Sequence, residues 1–132
     1  MLTPVPKVED PLLFGIASQL KSQLKVESNY ALCNRYVTGK DCVAWHCDDE
    51  PNIDQSVAIA SISLGGSRDF QMRSKTGAPG SPSLLHTWTL NDGDLFIMKP
   101  GAQKKFEHCV PKRKKIKGGP RINLTFRKLK SQ

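Results

Sequence analysis

At 132 residues and 14.6 kDa the chain is expected to form one domain that buries a core without disulfide staples. No apolar run of about 18 residues occurs, and the start, MLTPVPKVEDPLLFG, has no basic stretch ahead of an apolar one, which argues against a membrane span and a secretory leader. The formal charge of +8 lies after residue 103, where 11 Lys or Arg face a single acid, Glu107; a polyanion is the natural partner of such a bias, with a solvated loop or a localisation signal as the bland alternative.

In chain order, the first element is a helix over residues 10–26, where Leu13, Ile16 or Ala17, Leu20 and Leu24 recur at helical spacing with Lys and Gln between them. The helical period then stops. Eight short runs follow, YALCNRY, CVAWHC, VAIASISLG, RDFQMRS, LLHTWTL, DLFIMKP, KKFEHCV and RINLTFRKL, rich in β-branched and aromatic residues. Turn signals separate them: TGKD, GGS, TGAPGSPS, NDGD, PGAQ and KGGP, of which TGAPGSPS is expected to be mobile. The pattern predicts an all-β core with one N-terminal helix, built as a sandwich, barrel or jelly roll. The division expected is an N-terminal helical segment, 1–28, and a core, 29–132. Cys33, Cys42, Cys47 and Cys109 form no CxxC pair and read as reduced thiols of an intracellular protein, in the nucleus or cytoplasm.

The stretch WHCDDE, residues 45–50, concentrates ligand chemistry. On a strand, side chains two apart share a face, so His46 and Asp48 point together and Cys47 points away. An imidazole and a carboxylate so placed supply two members of a facial triad, and a distant histidine must supply the third. His86 sits in LLHTWTL without polar company, whereas His108, in FEHCVP, precedes a strand that bears arginines and is the better choice. A zinc site of His46, Cys47, His108 and Cys109 is chemically possible, but alternation turns both cysteines away from their neighbouring histidines. In RINLTFR, Arg121 and Arg127 are an even interval apart and project from one face. Two inward arginines are costly unless each meets an anion, and a dicarboxylate cosubstrate held bidentately satisfies that need.

NRY at 34–36, WHCDDE at 45–50, ASISLGGSRDFQMR at 60–73, GDLFIMKPGAQKKFEHCVPKRKK at 93–115 and PRINLTFR at 120–127 together resemble the AlkB family of Fe(II)- and 2-oxoglutarate-dependent dioxygenases over about residues 29–130. The resemblance implies a double-stranded β-helix, or jelly roll. It implies iron bound by His46, Asp48 and His108, and the distal carboxylate of 2-oxoglutarate held by Arg121 with Asn34 and Tyr36. Arg127 then sits on the iron side of the pocket as a catalytic and cosubstrate residue. Glu50 and Arg68 fall where family members contact the target base or its surroundings, and the loop of Lys112, Arg113, Lys114 and Lys115 is expected on the nucleic acid. For Asp49 and Asp69 a salt bridge or turn cap is expected at least as much as a substrate role.

The activity implied is oxidative demethylation of 1-methyladenine and 3-methylcytosine in single-stranded or damaged DNA or RNA. It would use Fe(II), O2 and 2-oxoglutarate and release formaldehyde, succinate and CO2. AlkB-type enzymes carry a substantial N-terminal region with hairpins over the nucleotide, whereas about 30 residues precede the first core motif here, with Phe14 the one aromatic among them. A monomer, or a domain of a longer protein, is expected, with nucleic-acid binding that leans on the basic loop and on partners outside this chain. Two other classes are consistent with the residues: a 2-oxoglutarate dioxygenase acting on a protein side chain, which has no need of KRKKIK, and a nonenzymatic basic nucleic-acid-binding β domain, which forms no succinate.

Overall fold

The protein was analysed as a computed structural model that describes residues 3–5, 10–75 and 84–131. The expected mobile loop, TGAPGSPS, lies outside the described residues. The elements are strand β1 (Thr3–Val5), helix α1 (Pro11–Leu24), strands β2 (Tyr30–Tyr36), β3 (Val43–His46), β4 (Ile59–Ser74), β5 (Leu84–Leu90) and β6 (Leu95–Met98), a helical turn α2 (Ala102–Lys105), and strands β7 (Phe106–Val110) and β8 (Lys117–Arg127).

Helix α1 begins and ends on side-chain logic. The Asp10 carboxylate accepts from the backbone N–H groups of Leu12 and Leu13, and Pro11 follows it at the first turn, where its missing N–H costs nothing. At the other end Lys25 turns left-handed (φ 58°) and its N–H, with that of Val26, closes on the carbonyls of Lys21 and Leu20. Leu13, Ile16, Ala17 and Leu20 pack on Ala31, Ala60, Leu124 and Phe126 of the sheet beneath. Leu24, expected on the same stripe, is instead 46% exposed, because the left-handed cap turns the chain away one residue later.

Among the described residues all strand pairings are antiparallel and form one curled eight-stranded sheet. One half runs β1-β2-β8-β4-β6 and the other β5-β4-β7-β3, so β4 belongs to both. This is the jelly roll the sequence predicts, with one correction. The GGS expected as a turn is a bend inside a single 16-residue strand. Gly65 has φ +84°, and a Cβ on Gly65 or Gly66 would collide with the carbonyl oxygens of Pro120 or Gly119. The register slips between Gly65 and Ser67, and the strand passes from one half of the sheet to the other without losing its ladder.

KGGP is likewise the start of β8 rather than a turn, and residues 104–105 belong to α2 rather than to a strand. The N-terminal segment contributes more than a helix, since Thr3, Pro4 and Val5 pair with Cys33, Leu32 and Ala31. Between the two halves lies an apolar core of Tyr36, Ile59, Phe70, Met72, Leu90, Met98 and Val110. The functional side chains line its polar edge.

Candidate metal and cosubstrate site

Alternation along β8 sorts its side chains cleanly. Leu124 and Phe126 face α1, while Arg121, Asn123, Thr125 and Arg127 face the interior and are all buried. Cross-strand pairing sets Asn34 against Asn123, Tyr36 against Arg121, and Ser63 against Asn123. A second pairing sets His46 directly opposite His108, and Met72 beside His108. Asp48 lies two residues past the end of β3 and is 3% exposed.

The three ligand side chains converge, with one ligand atom from each of His46, Asp48 and His108 within 4.8 Å of the others. His46 Nε2 is 3.5 Å from Asp48 Oδ1 and His108 Nε2 is 3.6 Å from Asp48 Oδ2, with the two imidazole rings edge to face at 4.3 Å. His46 Nδ1 donates to the Ala44 carbonyl at 2.7 Å; a carbonyl only accepts, so Nδ1 carries the proton and Nε2 keeps its lone pair for a metal. Phe70 stacks on His108 at 5.3 Å. The backbone of Asp48 is held at both ends, its N–H by Gln103 Oε1 (2.8 Å) and its carbonyl by Gln55 Nε2 (2.9 Å). Both cysteines of the zinc alternative point elsewhere, Cys47 to the Phe106 carbonyl and Cys109 to Gln71. His86 is exposed and rests on Trp88, outside the cluster.

Charge is balanced around this centre. Burial raises the pKa of the Asp48 carboxyl, but His46, Arg127 and His108 outweigh it and hold the group below its usual value. Burial lowers that of His46, yet its contacts with Asp48 and Ala44 carry it above the ordinary value. His108 is pushed down to about 4, chiefly by burial, and is therefore a neutral imidazole, the form that binds metal. Arg127 Nη2 bonds Asp48 Oδ1 at 2.9 Å, and its Nη1 lies 3.9 Å from the exposed Glu50.

Arg121 is built differently. It is 2% exposed, its Nη2 donates to Ser63 Oγ at 2.8 Å and its guanidinium lies over the Tyr36 ring at 5.2 Å, while its Nε and Nη1 have no partner. Burial lowers its pKa. Asn34 Oδ1 is buried and unpartnered as well. Each such orphan costs about 1–3 kcal/mol. Arg121, Asn34 and Tyr36 line the same cavity as His46, Asp48 and His108, together with Ser61, Asn123, Thr125 and Arg127. Two imidazoles and one carboxylate suit iron(II), and an unpaired buried guanidinium suits the far carboxylate of a dicarboxylate, so the residues fit both groups.

The residue range 2–127 matches the 2OG-Fe(II) oxygenase superfamily. The chain belongs to that superfamily. The superfamily is described by Fe(II) and 2-oxoglutarate, and the His46, Asp48 and His108 group is one that could hold such a metal. The AlkB resemblance is borne out by similarity to alpha-ketoglutarate-dependent dioxygenase alkB homolog 3 of Mus musculus, 37% identical over 123 residues, 89% of this chain and 42% of that protein. DNA oxidative demethylase ALKBH2 of Homo sapiens is 37% identical over 131 residues, 97% of this chain and 50% of that protein. The oxygenase chain thus spans about half the length of the curated relatives it matches. The solved structure of OsALKBH1 shares the fold, with a TM-score of 0.58 and 21% identity over 89% of this chain and 61% of that one.

Some expected site residues lie outside this cluster. Glu50 is at its rim. Arg68, expected on the base, is 2% exposed and bonds the carbonyls of Thr38, Asp41 and Pro111, so its terminal nitrogens are committed inside the fold. Lys112, Lys114 and Lys115 are exposed, while Arg113 pairs with Asp69 at 3.4 Å. Asp49 pairs with Lys75 at 3.9 Å, as a structural acid. Sequence reasoning passed over Gln103, for which nothing in the sequence signals a role, and Ser61 and Ser63, whose even spacing opposite an arginine-bearing strand was a usable signal.

Proposed function

We propose that this oxygenase demethylates N-alkylated bases of the 1-methyladenine and 3-methylcytosine type in DNA or RNA, with His46, Asp48 and His108 holding iron and Arg121, Asn34 and Tyr36 seating 2-oxoglutarate. The carrying observation is Arg121: a buried guanidinium with two nitrogens that have no partner among the described residues, in the cavity that also holds the triad. When bound, iron together with O2 and 2-oxoglutarate supplies the oxidising power, and the N-methyl group leaves as formaldehyde alongside succinate and CO2. The chain's own residues orient and exclude. Arg127 neutralises and aims Asp48, Phe70 fixes the His108 ring, and the apolar wall of Val43, Met98 and Val110 keeps water from the cavity.

Support for a nucleic-acid substrate comes from the relatives' printed names and from the exposed basic loop at 112–115, whose lysines suit phosphates. Glu50, exposed at the rim, favours a cationic methylated base over a neutral one. A target base must leave its stack to reach the metal, which costs least in single strands or at damaged pairs. Action in the nucleus or cytoplasm accords with this reading; among the described residues no helix is long and apolar enough to cross a membrane.

The test is incubation with Fe(II), ascorbate, O2 and 2-oxoglutarate, with and without methylated single-stranded DNA and RNA oligonucleotides, reading succinate and loss of methyl mass. Methyl loss that disappears in His46→Ala is expected. Iron bound with no succinate under any condition overturns the reading, and succinate without methyl loss from any oligonucleotide overturns its substrate part.

A further inference from the structure

Arg68 is as deeply buried as Arg121, at 2% exposure, and pairs with backbone rather than with an acid. Its Nη2 donates to the carbonyls of Asp41 and Pro111, each at 2.8 Å, and Nη1 reaches the Thr38 carbonyl at 3.4 Å. Those carbonyls lie in the segments that leave β2 just after Tyr36 and β7 just after Val110. The two segments also interlock backbone to backbone, because the Arg113 N–H donates to the Gly39 carbonyl at 2.7 Å and a Cβ on Gly39 would collide with the Arg113 carbonyl. Arg68 sits beneath this junction with its guanidinium 5.3 Å from the centre of the Tyr36 ring, which also carries Arg121 at 5.2 Å. A shift of the Arg68 side chain is therefore transmitted to Tyr36, and Tyr36 is a wall of the pocket that Arg121 closes.

We infer that Arg68 is a positioning residue of the cosubstrate pocket: by tying the Thr38, Asp41 and Pro111 carbonyls together it holds the Tyr36 ring against Arg121, and so sets the seat of the distal carboxylate of 2-oxoglutarate. The inference rests on the dioxygenase reading above. It assigns Arg68 a task other than the base contact that the family resemblance implies. Lysine cannot replace it, since a single ammonium on a flexible stem lacks the planar fork that spans carbonyls from two loops.

Binding of 2-oxoglutarate to the Mn(II)-loaded full chain, followed by titration calorimetry, tests this without turnover. Arg68→Lys is expected to raise the Kd for 2-oxoglutarate about tenfold, equivalent to ~1.4 kcal/mol, with Mn(II) affinity unchanged. Tyr36→Leu is expected to do the same with Arg68 intact. The double variant should bind no more weakly than Tyr36→Leu alone, because Arg68 acts through that ring. A merely structural arginine would lower the melting temperature and the binding stoichiometry and leave the Kd of the folded fraction unmoved, which overturns the inference. So does an unchanged 2-oxoglutarate Kd with lost affinity for a methylated oligonucleotide, the signature of a base contact, and so do effects that add in the double variant. Failure of the unaltered chain to bind 2-oxoglutarate overturns the dioxygenase reading itself and this inference with it, and is recognised because it precedes any substitution.

Discussion

The middle of β8 and its C-terminal end each place a buried arginine on the same face, in contrasting electrostatic surroundings. Arg127 is bonded to Asp48 at 2.9 Å and has Glu50 within 3.9 Å, so its charge is balanced by the protein's own acids. Arg121, six residues earlier on the same face, has a serine hydroxyl and an aromatic ring for company and two nitrogens, Nε and Nη1, with no partner among the described residues. Burial costs a cation without an anion more than the same cation in a bonded pair, which recovers part of the desolvation penalty. The difference accords with the proposed roles, Arg127 within the charge balance of the His46, Asp48 and His108 cluster and Arg121 for an anion from outside. Arg68 is a third case, in which backbone carbonyls take the place of an acid.

Removing the acid at the balanced end should have the largest effect. Asp48→Ala deletes a metal ligand and strands Arg127; we expect Mn(II) or Fe(II) stoichiometry to fall to zero by elemental analysis, succinate formation to fall to background, and unfolding free energy in denaturant to drop by ~3 kcal/mol. At Arg121 the expectation reverses in kind. Arg121→Met removes an unpaired buried charge, so stability should hold or rise while the Kd for 2-oxoglutarate increases about 100-fold, corresponding to ~2.7 kcal/mol, and metal content stays at one ion. A melting temperature that falls as far in Arg121→Met as in Asp48→Ala would erase the distinction between the two arginines.

The smallest effect is expected at Glu50, exposed and only loosely set near Arg127. Glu50→Gln should leave the melting temperature and 2-oxoglutarate affinity unchanged and lower the preference for 1-methyladenine over a neutral N-methylated base by less than tenfold, in line with the modest worth of exposed charges. Competition between the two oligonucleotides in one reaction reads this ratio directly, and an unchanged ratio removes Glu50 from substrate selection.

Much of the fold was legible because its signals are local. The helical spacing of Leu13, Ile16 and Leu20, the alternation of RINLTFR and the shared side of His46 and Asp48 in WHCDDE depend on neighbouring residues, and the structure has a helix over Pro11–Leu24, buried Arg121 and Arg127 on one face of β8, and His46 and Asp48 together. The misses share a cause. GGS reads as a turn, since glycine pairs usually are turns, but Gly65 and Gly66 are required by the close approach of Pro120 and Gly119, over 50 positions away in sequence. KGGP belongs to the same approach from the other side. β1 was invisible because three residues carry too little pattern, and its place is set by pairing with β2. The contacts of Gln103 with Asp48 and of Arg68 with Asp41 were not legible, because a hydrogen bond to a distant backbone carbonyl or N–H leaves no mark on local spacing.

The amino-acid sequence by itself determined which side chains can bind a metal and a dicarboxylate, and which way they point along each strand, because side-chain chemistry and the two-residue period are local properties. Tertiary structure alone decided that β4 is one bent strand joining both halves of the sheet, that Arg127 is neutralised and Arg121 is not, and that Arg68 serves the fold beneath Tyr36. Those outcomes depend on which groups meet across long sequence separations, and burial then turns each meeting, or its absence, into free energy.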